Sequence, residues 1–274
     1  MKKILLAALA SLFLMHTYSQ DSTDSEKADT IRIGGITIIK AKGKKDSTTK
    51  QINITNTHKK RNSNVSTNWW IVDLGFANFS DNTDYTSSAT QAFAPGATED
   101  WFKLRTGKSV NVNIWVFMQK MNIISHVLNL KYGMGVELNN YRFDDEKTLF
   151  SKNPTKVFQA SALDEPISKN KLAVDYVTLP LLLNFDFTPN RKHGFGISAG
   201  VSGGYLYSAR QKLKRGDDKE KLHDDYDLRK WKLAYIGELN LGIIKLYGSY
   251  AVKNMWEKGL DHTPYNMGVR FSRF

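Results

Sequence analysis

The stretch "KLAVDYVTLPLLLNFDF", residues 171–187, is apolar enough for a membrane yet carries Asp175, Pro180, Asn184 and Asp186. A helix does not accommodate it. Pro180 would remove a backbone hydrogen bond and clash with the preceding turn, and polar groups break the run well short of the ~20 apolar residues a spanning helix needs. With period two the stretch resolves into two faces. Val177, Leu179, Leu181, Leu183, Phe185 and Phe187 fall on one; Thr178, Pro180, Leu182, Asn184 and Asp186 fall on the other. That is a strand with an oily side and a mixed side, and Pro180, which cannot donate to a ladder, predicts a bulge within it.

Seven further segments show the same texture. Their large apolar faces begin at Trp70 (with Val72, Leu74, Phe76), at Val110 (Val112, Ile114, Val116, Met118), at Leu128 (Leu130, Tyr132, Met134, Val136, Leu138), at Phe195 (Ile197, Ala199, Val201, Tyr205, Tyr207), at Trp231 (Leu233, Tyr235, Leu239, Leu241), at Ile244 (Leu246, Tyr250, Val252) and at Tyr265 (Met267, Val269, Phe271). Several reach the ~9–11 residues a tilted strand needs to cross a bilayer. The connections alternate long and short: residues 80–105, 119–125, 142–170, 188–193, 210–228, 242–243 and an intermediate 254–264. Outer-membrane barrels show this alternation, with short turns toward the periplasm and long loops outside.

Periodicity alone does not distinguish a membrane barrel from a water-soluble one with its faces reversed. Three features favour lipid. The second face is rich in Gly and Ser, notably over residues 196–204, which suits a crowded interior. Tyr and Trp recur near strand ends, as in an interfacial girdle. The chain finishes on Phe274, although Phe274 is out of phase with Phe271 and requires a bulge or fraying at the last turn. The expected fold is all-β: an eight-stranded antiparallel transmembrane β-barrel over residues 69–274, preceded by a flexible periplasmic tail.

The N-terminus agrees with export. "MKKILLAALASLFLMHTYSQ" has a basic start, an apolar run and small residues Thr17 and Ser19 before Gln20, which reads as a cleavable signal peptide over residues 1–19. Residues 20–68 are polar and rich in Lys, Ser and Thr, with β-like pieces at 30–40 and 50–55, and read as a tail that carries a hairpin. The 274 residues contain no cysteine, which removes disulfides and thiol chemistry from an exported chain. Loss of Lys2 and Lys3 with the leader takes the formal charge from +12 to +10. For an exported protein this excess points to anionic lipid headgroups or polysaccharide, and not to nucleic acid.

By alternation the lumen holds Asp73, Lys131, Glu137, Asp186, Lys232, Glu238, Lys245, Lys253 and Arg270, five positive and four negative groups. An eight-stranded barrel is filled by its own side chains, and an unpaired buried charge costs several kcal/mol. The expectation is a closed, salt-bridged interior with no diffusion pore. This charge network is structural, and no catalytic, cofactor-binding or metal-binding residues are assigned. The histidines are His16, His58, His126, His193, His223 and His262; of these, His223 and His262 sit on predicted outer loops beside Asp224, Asp225 and Asp261. A solvated, charge-rich loop accounts for that pattern, and no nucleophile with an oriented base is visible.

"NWWIVDLGF" (68–76), "YVTLPLLLNF" (176–185), "GISAGVSGGYLYSARQK" (196–212) and the ending "MGVRFSRF" resemble the outer-membrane β-barrel domain family related to PorT, and "DTIRIGGITIIK" resembles the tail of some of its members. The resemblance covers residues 69–274 and implies a small barrel in the outer membrane of a Gram-negative bacterium; PorT itself is similar to a component of a secretion machine. The function expected is a non-enzymatic, monomeric membrane anchor that presents its long loops for binding or adhesion, with outer-membrane lipid and lipopolysaccharide as surroundings and an envelope protein as a partner through the tail or loops. The alternatives are a subunit of a secretion or envelope assembly, a lipid A-modifying barrel enzyme and a soluble exported lipocalin-like binder.

Overall fold

The computed structural model describes residues 30–33, 36–39, 63–161, 166–189, 191 and 194–272. The expected signal peptide, most of the tail, His16, His58, His193 and Phe274 lie outside the described residues. The chain divides into two units, residues 1–62 and 63–274. In the first, β1 (Thr30–Ile33) pairs antiparallel with β2 (Ile36–Ile39), within the first of the two β-like pieces of the tail.

The second unit is all-β and antiparallel. Its main strands are β3 (Val65–Asp81), β4 (Val110–Ile124), β5 (Leu128–Arg142), β8 (Ile167–Asp186), β9 (Phe195–Arg215), β11 (Trp231–Leu241), β12 (Ile244–Ala251) and β13 (His262–Phe271). Each of these eight pairs with two neighbours, and the ring closes where β13 meets β3 and where β8 meets β9. Smaller elements belong to the loops: helix α1 (Ser88–Phe93), the hairpin β6 (Thr148–Phe150) with β7 (Val157–Gln159), and β10 (Asp218–His223), which extends β9. The ends of β4 and β5, of β8 and β9, and of β11 and β12 that are joined by short connections lie at one end of the ring, and the opposite strand ends lie at the other.

The strands depart from the expected pattern at several points, and those at Trp70, Val116 and Pro180 bear on the reading above. The first strand begins at Val65, four residues before the expected boundary, and Trp70 adopts a left-handed backbone (φ 55°), so that Trp69 and Trp70 both face outward. In β4 the pairing with β5 shifts at Val116, which is an extra residue. The bulge reverses the phase of the strand from Phe117 to the second irregularity at Asn122/Ile124. Met118, expected outside, is therefore buried within the ring, and β4 runs on to Ile124 instead of ending at Met118. Pro180 does not produce the expected bulge. It keeps register with Ser202 of β9, while the ladder to β5 omits the positions opposite Leu179 and Pro180. The missing donor is absorbed by an interrupted ladder, and the irregularities of β8 against β9 fall at Ile167/Lys169 and Asp175/Tyr176.

The inner Gly positions make room for large side chains crossing the lumen. A Cβ on Gly135 would lie 2.8 Å from Cε3 of Trp115, and one on Gly133 would lie 2.9 Å from Cγ of Met118. Ile71, Trp115, Met118 and Leu182 form a small apolar cluster there. The outward face is the reverse of a soluble protein. Leu74, Phe76, Leu179, Leu181, Leu183, Ile197, Val201, Leu233, Leu239, Leu246, Met267 and Val269, from every part of the ring except its β4–β5 side, are substantially exposed, and Val116 and Met134 supply that side. Trp231, Tyr235 and Phe271 add to the same surface.

Candidate functional site

Two layers fill the ring. The lower is ionic. Arg270 donates from Nε to Asp73 Oδ1 and from Nη2 to Asp73 Oδ2, both at 2.7 Å, and from Nη1 to Glu238. Glu238 also accepts from Lys131, so that one chain of charge runs Lys131–Glu238–Arg270–Asp73. Asp73 is fully buried and takes two further bonds, from Trp115 Nε1 at 2.8 Å and Asn113 Nδ2 at 3.2 Å. The Arg270 guanidinium lies over the rings of Trp115 (5.5 Å) and Tyr247 (6.0 Å). A second cluster joins Lys232 to Glu137, whose Oε1 also accepts from Asn139 (3.1 Å) and Asn266 (3.0 Å). Burial on this scale is tolerable because each carboxylate has several donors and each cation a carboxylate.

Six of the nine predicted lumen residues thus belong to these two clusters. Asp186 sits nearer the turn end and pairs with Lys120 at 2.8 Å. Lys245 donates to the carbonyl and hydroxyl of Ser272. Lys253 is not in the lumen: β12 ends at Ala251, and Lys253 is exposed beyond it. Sequence reasoning missed Lys120, because the bulge at Val116 carries it inside. Below Arg270 the ring opens at the turn end into a polar vestibule of about 630 Å³, lined by Lys120, Lys131, Asp186, Glu238, Lys245 and Arg270 among others. Around Arg270 and Glu137 only about 30 Å³ remains, room for about one water.

The upper layer is aromatic and comes from the long loops. Phe93 of α1, Phe102, Phe143, Phe150 of β6, Tyr226 and Trp256 are all nearly or fully buried in one cluster with Tyr141, Leu172 and Tyr176 of the strands. Trp256 is its centre, stacked on Phe150 (5.7 Å, 16°) and edge-on to Phe93 (5.7 Å, 66°). Its Nε1 donates to His262 Nδ1 at 3.0 Å, so the ring proton of His262 is on Nε2, which lies 3.4 Å from Asp81. His262 stacks on Phe79 (4.2 Å, 6°) and is fully buried. Polar ties pin the loops to one another: Ser87 caps α1, Thr90 donates to the Gly259 carbonyl at 2.6 Å, Thr148 donates to the Trp101 carbonyl at 2.8 Å, and Gln211 donates to Asn170 and to the Thr148 carbonyl, both at 2.9 Å. The loops expected as free display surfaces therefore form a packed cap. His223 and His262, considered together from sequence, differ: His223 is exposed at the end of β10, and His262 is sealed in the cap.

Two cap phenols are held neutral. Burial and the bond to Asp81 (2.5 Å) push the Tyr85 phenol far above the ordinary tyrosine value. Burial pushes Tyr226, which donates to the Leu222 carbonyl at 2.6 Å, up to about 12. A phenol whose folded pKa is raised favours folding in full below its unfolded value, and that contribution is lost as pH rises through the folded value. The cap is expected to loosen as pH rises from about 10 toward 12, read as loop cleavage by an alkali-tolerant protease. Replacing Tyr226 with Phe should flatten the part of that profile below pH 12 while leaving the ring folded.

The fold and its contents together define a class. A closed antiparallel ring with exposed aliphatic and aromatic side chains outside and paired charges inside has the distribution of a membrane barrel, not of a soluble barrel. Residues 52–254 match the outer membrane protein beta-barrel domain family, and the chain belongs to that family. A comparison with curated proteins found no match.

Proposed function

We propose that the protein is a pore-less, non-enzymatic anchor in the outer membrane of a Gram-negative bacterium, holding a rigid aromatic-cored cap at the cell surface for contact with a partner. The observation that carries this reading is the pairing of an apolar outer surface with a lumen occupied twice over, by ion pairs and by the cap. Such a ring gains stability from lipid and offers no continuous water path. The contacts available to a partner lie on the outside of the cap, where loops are fixed by the strands beneath them. A lipid-modifying enzyme would need a reachable acid or base, and His262 is engaged by Trp256 and enclosed by Phe79 and Phe102. A neighbouring reading, prompted by the resemblance to the barrel family related to PorT, has the cap or the tail dock on an envelope assembly.

The test has two parts. Membranes from cells expressing the full chain are washed with urea at neutral pH, and the protein is expected in the pellet. Reconstituted in planar bilayers, it is expected to add no current steps to the bare bilayer. Release by urea would overturn the membrane reading, and stable ohmic steps would overturn the closed lumen.

A further inference from the structure

We infer that the outer face of the β8–β9–β10 ribbon is a binding site for the phosphates of a glycolipid headgroup, a proposal that rests on the membrane-spanning reading above. The register sets it out. Arg142 of β5, Lys171 of β8, Lys212 of β9 and Lys221 of β10 are successive cross-strand partners, four cations in one row. In the next row Lys169, Lys214 and Lys219 are likewise partners. Directly opposed residues share a face, and like charges so placed repel. Intervening residues Asn170, Leu172, Gln211 and Leu213 are buried in the cap, so the ribbon cannot turn its lysines away.

Little in the described protein neutralises these rows. Arg142 has Glu146 at 3.4 Å, and Lys214 has the fully exposed Asp217 at 3.8 Å. Lys212 donates to the Asn140 side chain at 3.2 Å and Lys171 to the Lys108 carbonyl at 3.4 Å. Among the described residues, Lys169, Lys171, Lys212, Lys219 and Lys221 have no carboxylate within 4.0 Å. Registered cations without anions on an ordered ribbon call for an external anion.

The position identifies its source. On the same two strands Leu179, Leu181 and Leu183, then Val201, Tyr205 and Tyr207, form part of the apolar outer surface. From Tyr207 to Lys212 is five residues, roughly 17 Å of strand, or about 13 Å of height at a tilt near 40°. The polar layer of a phospholipid leaflet is only about 5–8 Å thick. Lysines at that height clear the headgroups of a simple phospholipid, and their long side chains, extended back toward the bilayer, reach the phosphates of a bulkier sugar-based headgroup.

The test uses the full chain in dodecyl maltoside micelles, titrated with bisphosphorylated lipid A, dephosphorylated lipid A, phosphatidylglycerol and inorganic phosphate. Bisphosphorylated lipid A is expected to bind tightest, with affinity falling as salt rises. The combined variant K169Q/K171Q/K212Q/K221Q is expected to bind it at least about tenfold more weakly, and the four Lys→Arg replacements are expected to retain binding. With no lipid the Gln variant should unfold no earlier than wild type, because it relieves repulsion. Equal binding of dephosphorylated lipid A by wild type would overturn the proposal without any variant. So would unchanged affinity in the Gln variant, or phosphatidylglycerol or inorganic phosphate binding as tightly as lipid A. Failure of the urea wash would instead remove the membrane reading, and the micelle titration would still report on the cation rows.

Discussion

Replacing Arg270 with methionine is expected to destabilise the ring by about 3–5 kcal/mol. The side chain satisfies two acids at once, with two bonds to Asp73 and one to Glu238. Its loss leaves Asp73, which has no contact with solvent, as a buried anion with only the neutral donors Trp115 and Asn113. Glu238 keeps Lys131 and is less affected. The order of effects is the informative part. Asp73→Asn should cost less than Arg270→Met, because Arg270 still has Glu238. Adding Asp73→Asn to Arg270→Met should recover much of the loss, because it removes the orphaned charge. Urea unfolding in micelles, followed by tryptophan fluorescence, measures all three. If the double variant is no better than Arg270→Met, the cost comes from the lost packing against Trp115 and Tyr247 and not from an unpaired carboxylate.

Why Asp73 and Arg270 were legible in the sequence, while Lys120 and the cap were not, has a physical explanation. Alternation is a local property: each strand announces which residues share a face, and every inward charge on an unbulged strand could be read directly. A bulge changes the phase without changing composition, so the Val116 insertion hid Met118 and Lys120 from a rule that counts by two. Lys253 failed for a related reason, since alternation does not say where a strand stops. The cap is non-local. Phe93, Phe102, Phe150 and Trp256 come from two long connections and the intermediate one, and meet only because the ring gathers those connections at one end. No short window contains their pattern, and a loop read alone looks polar. The cation rows need still more, because residues 210–228 read as a loop, whereas β9 continues to Arg215 in register with β8 and β10 pairs back onto β9. Membership of the outer membrane β-barrel family speaks to the ring and leaves these loop-end features to be read from the structure.

Trp256→Ala should separate the two layers of the lumen. Trp256 packs against Phe93 and Phe150 and donates to His262, and truncating a buried aromatic of this size costs about 3–5 kcal/mol. The cap is joined to the ring mainly through loops, so the loss should appear there first. Proteases added from outside are expected to cut the wild-type loops slowly and the variant quickly, with the ring retaining its resistance to unfolding in detergent. Trp256→Phe should give a smaller effect, since it keeps the ring contacts and loses only the bond to His262 Nδ1, worth about 1–3 kcal/mol when an acceptor is left buried and unpaired. The decisive measurement is current across a planar bilayer. Beneath the cap Arg270, Asp73, Glu238, Lys232 and Glu137 still fill the ring, so Trp256→Ala alone should open the loops and yet pass no ions. Current steps in that variant would mean that the aromatic cap is the seal and that the charged layer below it admits water and ions.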